Sequence, residues 1–137
     1  MTTLVSAVVP CYQRADRAVA AVRSILEQRL PSGVSLEVLA VIDGPQPDVE
    51  AALEDIDDER VRVIRQPTRR GHSAARARGV IESRGDWIAF LDDDDRWMPT
   101  KLDEQLRAAE RARGEGGTES IVGCRVRAVL DRGSMIW

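Results

Sequence analysis

Trp87-Ile88-Ala89-Phe90-Leu91 runs directly into Asp92-Asp93-Asp94-Asp95. The apolar run is rich in aromatic and branched residues, is entered through Gly85, and reads as a buried strand. Four adjacent carboxylates at its carboxyl end repel one another. Side chains alternate in direction only while the strand continues, so alternation alone does not separate them. A divalent cation removes the conflict. Mg²⁺ and Mn²⁺ prefer hard oxygen ligands and take one or two carboxylates together with substrate phosphates. An Asp-any-Asp triplet at a strand end can therefore hold a metal against a diphosphate. The competing reading is a solvated acidic turn that caps the next helix.

The rest of the composition narrows the class. The chain has 137 residues, which suggests one domain over residues 1–137. A chain of this size buries about two-thirds of its unfolded surface, enough for a real core. A hydrophobic content of 43% with 31% charged residues fits a soluble globular protein. A net charge of -3 argues against general nucleic-acid binding, although arginine is dense between Arg60 and Arg84. Cys11 and Cys124 stand alone, with neither a disulfide framework nor metal-ligand spacing, which points to a reducing, cytoplasmic setting. His72 is the single histidine, so a histidine-cluster metal site is excluded. Leu4 to Val9 is too short for a signal or a membrane span, which leaves peripheral membrane association open.

Outward from the acidic run, strands and helices alternate. Leu4–Val9 reads as a buried strand ended by Pro10. After a loop through Cys11, Tyr12, Gln13 and Arg14, Asp16 is placed as the N-cap of a helix to Gln28, with Val19, Val22, Ile25 and Leu26 at helical spacing. Leu36–Ile42 is the second strand and ends at Asp43-Gly44. Asp48 is placed as the cap of a short helix to about Asp55, and Val61–Ile64 is the third strand. A loop carrying Arg69, Arg70 and Gly71 leads to a helix capped by Ser73 and running to Ser83. The Trp87–Leu91 strand follows. Pro99 suits the first turn of another helix, with Leu102, Leu106 and Ala109 on one face. Gly114 to Gly117 is a polar break. Ile121 to Cys124 begins another strand, and Val126–Leu130 with Met135–Trp137 reads as a hairpin about Asp131-Arg132-Gly133. The alternation predicts an α/β, Rossmann-like, mostly parallel sheet with helices on both faces.

In such sheets ligands bind beyond the carboxyl ends of the strands. Those ends carry Pro10-Cys11-Tyr12, Asp43-Gly44, the Arg69–Gly71 loop and Asp92–Asp95. Tyr12 can stack on a planar base, or be a loop aromatic. Asp43 can accept from a base or a ribose hydroxyl, or start a turn with Gly44. Gly71 opens a helix whose free amides and dipole suit phosphate. Arg69, Arg70, Arg76 and Arg78 surround that point, and can pair with a diphosphate or the acidic run, or form a solvated basic face. His72 reads as a surface loop residue, and Trp97 as a pocket wall or a loop anchor. Together these groups describe a nucleoside diphosphate whose phosphates are bridged by a metal. A metal there stabilises the charge that develops on a departing diphosphate.

At this point the sequence resembles the nucleotide-binding half of family 2 glycosyltransferases, which have the GT-A fold. The matching stretches are Val5–Arg14 (VSAVVPCYQR), Glu37–Gly44 (EVLAVIDG), Val61–Gly79 (VRVIRQPTRRGHSAARARG) and Gly85–Leu102 (GDWIAFLDDDDRWMPTKL). The resemblance implies transfer of a sugar from a nucleoside-diphosphate donor, a UDP-sugar first, with Mg²⁺ or Mn²⁺ at the Asp92–Asp94 motif. It implies Asp94 as the direct metal ligand with Asp92 beside it near the ribose, Asp43 on the base, and Pro10 and Tyr12 in the base pocket. The donor-binding candidates are then Pro10, Tyr12, Arg14, Asp43, Gly71, Arg76, Asp92 and Asp93, with Asp94 and Asp92 as metal ligands. The acceptor is a sugar, lipid or protein that the sequence does not identify, and a homodimer is compatible with the reading.

Several positions depart from the family pattern. Gln13 stands where asparagine is frequent, Ile42-Asp43 where two acidic residues are frequent, and Thr68 and Ala77 replace asparagines. These departures bear on the donor more than on the fold. Family members also continue for another hundred or more residues, which supply the acceptor site and the general base. The expectation is therefore a nucleotide-sugar-binding half without its acceptor-binding half, its base lying beyond Trp137, and a module that binds nucleotide with metal but turns over poorly or not at all alone. A sugar nucleotidyltransferase is the rival within the fold class, but Pro10-Cys11-Tyr12-Gln13 stands where its Gly-rich basic loop belongs. A dehalogenase-like phosphatase would place its Asp-any-Asp after the first strand, and a receiver domain needs a lysine on a late strand. The rival from another class is a nucleotide-binding module without independent catalysis.

Overall fold

The structure, a computed structural model, describes residues 2–114, 121–123, 127–130 and 133–136. The described chain forms two compact units, residues 1–99 and 100–137. The first contains β1 (Thr3–Cys11), α1 (Ala15–Leu26), β2 (Val34–Ile42), α2 (Pro47–Glu54), β3 (Val61–Arg65), α3 (His72–Glu82) and β4 (Trp87–Phe90). The second contains α4 (Lys101–Gly114) and an antiparallel pair, β5 (Arg127–Leu130) and β6 (Gly133–Ile136). The pair agrees with the expected hairpin. Residues 121–123 carry no regular structure, and Cys124 lies outside the described residues, as do Val126, Asp131, Arg132 and Trp137.

All pairings in the first unit are parallel, and the order is β3-β2-β1-β4. The chain proceeds outward from β1 through β2 to β3, then returns to place β4 on the other side of β1. The strand order thus reverses at β1, and the crevice between the carboxyl ends of β1 and β4 is a topological switch point.

Period-two alternation divides the sheet residues between two faces. Val8, Leu39, Val41 and Ile64 share one face and pack with Ala75 of α3. The opposite parity, Val5, Ala7, Val9, Val38, Ala40 and Ile42, is also fully buried. It faces α1 and α2, whose buried residues include Ala18, Ala21, Val22 and Ile25, and Val49 and Leu53. The spacing of the α1 set is that of one helical face. Near-continuous apolar strands are what a sheet covered on both sides requires.

Four local expectations are corrected. The Trp87–Leu91 run is not a strand buried on both faces. β4 is the edge of its sheet, and Ile88 and Phe90 remain 38% and 44% exposed. Its composition reported β propensity, not burial. Pro10 does not end β1, which continues to Cys11. Cys11 accepts from Asp43 of the β2 side and Val8 from Leu91 of the β4 side. Pro10 shares the parity of Val8, so its missing N–H falls on the β4 side, where pairing has already stopped at Phe90. Asp16 and Asp48 lie inside the first turns of α1 and α2, whose N-caps are Arg14 and Gln46. Pro47 pre-sets the start of α2. Ser73 likewise lies inside α3, which is capped by Gly71 at φ 93.

The α3 face of the sheet turns polar toward the amino ends of the strands. Glu37, 8% exposed, accepts from Ser6 Oγ at 2.6 Å, Arg84 N at 2.7 Å and Arg62 Nη1 at 3.2 Å. Arg62 also donates to the Glu82 carbonyl at 3.0 Å, so this network pins the exit of α3 and the turn into β4. Burial opposes ionisation of Glu37, but the hydrogen bonds and the Arg62 charge outweigh it and hold its carboxyl below the usual glutamate range.

A depressed folded-state pKa contributes stability that is complete above the unfolded value and is lost as pH falls through the folded value. Glu37→Gln is therefore less stable than the parent at pH 7, and the difference shrinks as the pH falls through and below the usual glutamate range, measured by urea denaturation across pH. In α3, a Cβ on Gly79 would run into the Val8 side chain. Replacing a helical glycine with alanine gains about 0.5–1 kcal/mol, whereas overpacking costs about 1–3 kcal/mol. Gly79→Ala should lower the urea midpoint.

Candidate functional site

The carboxyl ends of β1, β2, β3 and β4 lie on one edge because the strands are parallel. A cleft of about 160 Å³ opens there, lined by Pro10, Cys11, Tyr12, Arg14, Asp43, Arg69, Gly71, His72, Ala75 and Asp93. Five of the proposed donor-binding residues line it together, with Asp93 as a sixth. Arg76, Asp92 and Asp94 reach the same loops through ion pairs.

The β1 loop is tightly wound. Arg14 N donates to the Tyr12 carbonyl at 2.9 Å across Gln13, whose φ is 64. A non-glycine residue in this region is held there at some cost by its surroundings. Asparagine tolerates it better, which gives a physical sense to the asparagine expected at this position. The turn aims Tyr12 and Arg14 at the acidic loop after β4. Asp93, 2% exposed, accepts from Tyr12 N at 2.9 Å and from Arg14 Nη2 at 2.9 Å. Arg14 Nη1 reaches on to Asp94 at 3.0 Å.

The other two aspartates of the run face α3 and solvent. Asp92 Oδ1 is shared by His72 Nε2 at 3.0 Å and Arg76 Nη2 at 2.5 Å. Burial opposes its charge, but these two partners prevail and its pKa is lowered. Asp95 goes the other way, raised by burial and by the neighbouring charges of Asp94 and Asp92. Asp92, Asp94 and Asp95 each present a carboxylate oxygen, and these lie within 4.8 Å of one another. Hard oxygens at that separation suit Mg²⁺ or Mn²⁺. Arg76 lies over the Phe90 ring at 5.8 Å, and its Nε is a buried donor with no partner among the described residues.

Asp43 is 4% exposed and organises the loop that leads into α3. Its Oδ1 accepts from Arg70 N at 2.7 Å and Gln66 Nε2 at 3.0 Å, and its Oδ2 from Gly71 N at 2.9 Å. A carboxylate has about four lone-pair positions, so one remains for a ligand. The Arg69 guanidinium lies over the Tyr12 ring at 4.2 Å. Space is open where a Gly71 Cβ would stand, so a ligand can approach that backbone closely. Burial and the nearby Asp93 charge push the Cys11 thiol up, so it is no nucleophile at neutral pH.

Residues 6–133 match the family model described as Glycosyl transferase family 2. The chain belongs to that family. It is 36% identical over 117 residues to the succinoglycan biosynthesis protein ExoO of Rhizobium meliloti (strain 1021), a match covering 85% of this chain and 33% of the relative. Among solved structures it is similar to S. aureus TarS 1-349 in complex with UDP-GlcNAc, with TM-score 0.72, 20% identity, and coverage of 82% of this chain and 32% of that one. It is also similar to the mannosyltransferase PcManGT from Pyrobaculum calidifontis in complex with GDP-Man and Mn²⁺, with TM-score 0.69, 22% identity, and coverage of 78% and 32%. The fold is the GT-A type. The chain thus spans about a third of the length of these relatives.

Within this family member, some cationic and aromatic residues divide between site and scaffold. Arg78 pairs with Glu82 at 2.8 Å and so does not face the acidic run. Trp97 is buried and is not among the residues that line the cleft; its backbone N–H donates to Ser24 Oγ at 3.1 Å. Gln28 Nε2 to the Met98 carbonyl at 2.7 Å and Arg29 N to the Pro99 carbonyl at 2.8 Å complete the attachment of this loop to the end of α1. The ties from Asp43 to Gln66 and to the Arg70 and Gly71 amides were not visible in sequence. A buried acid at a strand end before a glycine was the only signal.

Asp43→Asn turns an amide NH₂ toward backbone donors. It should cost about 1–3 kcal/mol, as for a buried donor left unsatisfied. Amide hydrogen exchange should quicken at Arg70 and Gly71 beyond the global change.

Proposed function

We propose that this chain binds a nucleoside-diphosphate sugar, a UDP-sugar first, at the β1–β4 switch point, with a divalent cation on Asp92 and Asp94. We propose that it serves as the donor-binding part of a glycosyltransferase. The observation that carries the reading is the convergence of three unlike groups on one cleft. These are an aromatic ring at Tyr12, a phosphate-facing helix start at Gly71, and the Asp92, Asp94 and Asp95 carboxylates within 4.8 Å of one another.

Each group has a task that its chemistry suits. Tyr12 and Pro10 offer a planar apolar surface for the base, and the remaining lone pair of Asp43 can accept from it. Gly71 and the first amides of α3 point positive charge at a phosphate. Arg76 brings a further donor to the acidic loop. The cation, when bound, acts as a Lewis acid that stabilises the charge of the departing diphosphate. The UDP-GlcNAc in TarS and the GDP-Man with Mn²⁺ in PcManGT support a donor of this class. Uridine is preferred on the family resemblance, and the two neighbours differ in base.

Calorimetry with UDP and with GDP, each with and without Mn²⁺, tests the proposal. UDP should bind more tightly with Mn²⁺ than without, and Asp94→Ala should remove about tenfold or more of that metal-dependent gain. If neither nucleotide binds, or if Asp94→Ala keeps the full metal dependence, the metal–diphosphate reading fails.

A further inference from the structure

We infer that Arg14 is a built-in counter-ion that holds the acidic loop closed in the absence of metal and competes with the cation for Asp94. The inference rests on the metal site proposed above and concerns a residue outside the ligand set. Arg14 bridges two aspartates, Asp93 at 2.9 Å and Asp94 at 3.0 Å. The two contacts differ in kind. The Asp93 side chain is 3% exposed, whereas that of Asp94 is 37% exposed and that of Arg14 is 48% exposed. The Asp93 bond ties the β1 loop to the β4 loop in a dry setting. The Asp94 bond lies at the surface and can exchange.

Electrostatics sets the direction. The run brings four carboxylates together, with oxygens of Asp92, Asp94 and Asp95 within 4.8 Å of one another. Arg14 relieves part of that repulsion from one side, while His72 and Arg76 relieve it on Asp92 from the other. A divalent cation on Asp94 and a guanidinium on the same carboxylate stand within a few ångströms and repel. Arg14 can yield without unfolding the loop, because Asp93 keeps its bond from Tyr12 N at 2.9 Å. It also lines the cleft, so the released guanidinium faces the space where a diphosphate would lie.

The test is Mn²⁺ titration without nucleotide, followed by electron paramagnetic resonance of free Mn²⁺, on the whole chain. Arg14→Gln removes the charge but keeps a donor for Asp93. It should bind Mn²⁺ about five- to tenfold more tightly than the parent, an effect sized for a partly exposed charge. Arg14→Met, which cannot donate, serves as the second variant and should shift affinity in the same direction. Circular dichroism and urea midpoints verify that each variant is folded. If Arg14 were only a structural tie, loosening the loop would weaken Mn²⁺ binding or leave it unchanged. Either result, in a folded variant of a parent that binds Mn²⁺, overturns the inference and leaves the donor-site proposal standing. If parent and variants alike bind no Mn²⁺, even with UDP present, the metal site itself fails and the inference falls with it.

Discussion

Mutual repulsion among Asp92, Asp93, Asp94 and Asp95 is the constraint around which the carboxyl edge of this sheet is built. The fold answers it with polar partners, two of them guanidinium groups, drawn from two other elements. Arg14 comes from the loop after β1, and His72 and Arg76 come from the start of α3. Each ion pair is also a tie between elements distant in sequence. The acidic loop is therefore the place where β1, α3 and β4 are registered against one another. Partly exposed pairs of this kind contribute little to stability individually. Their effect here is to fix geometry at a site where a divalent cation could replace some of them.

A second registration point lies beneath the first. Asp43 gathers the Arg70 and Gly71 amides and the Gln66 side chain, and so sets the position of the α3 N-terminus. The opposite end of α3 is set by Glu37 through Arg62 and Arg84. Two buried carboxylates, Glu37 on β2 and Asp43 just past its end, thus clamp both ends of the helix whose N-terminus faces the cleft. Val8 against Gly79 fixes its closest approach to the sheet. A helix N-terminus held this way is preorganised, which limits the ordering that binding at the cleft would require.

Much of this was legible in sequence, but unevenly. The alternation of strand and helix, the parallel sheet, and the gathering of Tyr12, Asp43, Gly71 and the acidic run on one edge follow from periodicity and from turn residues. Helix starts were displaced by one or two residues because Asp16, Asp48 and Ser73 are good caps that the chain uses inside the first turn instead. The Trp87–Leu91 run looked buried because aromatic and branched residues suit a strand whether it is central or at an edge. Neither Glu37 within an apolar strand nor the pairing of Arg78 with Glu82, as against that of Arg76 with Asp92, could be read from spacing alone.

Sequence alone determined the local periods and the chemistry placed at each strand's carboxyl end, since both depend on neighbours a few residues apart. Tertiary structure alone decided the order β3-β2-β1-β4, and with it that the Tyr12 loop and the acidic loop face each other across a switch point. It also decided which carboxylate each cation holds: Asp93 is committed to Tyr12 N and Arg14, while Asp92, Asp94 and Asp95 converge. The physical reason is range. The bond from Tyr12 N to Asp93 joins residues 81 positions apart, and no local pattern encodes a partner at that distance.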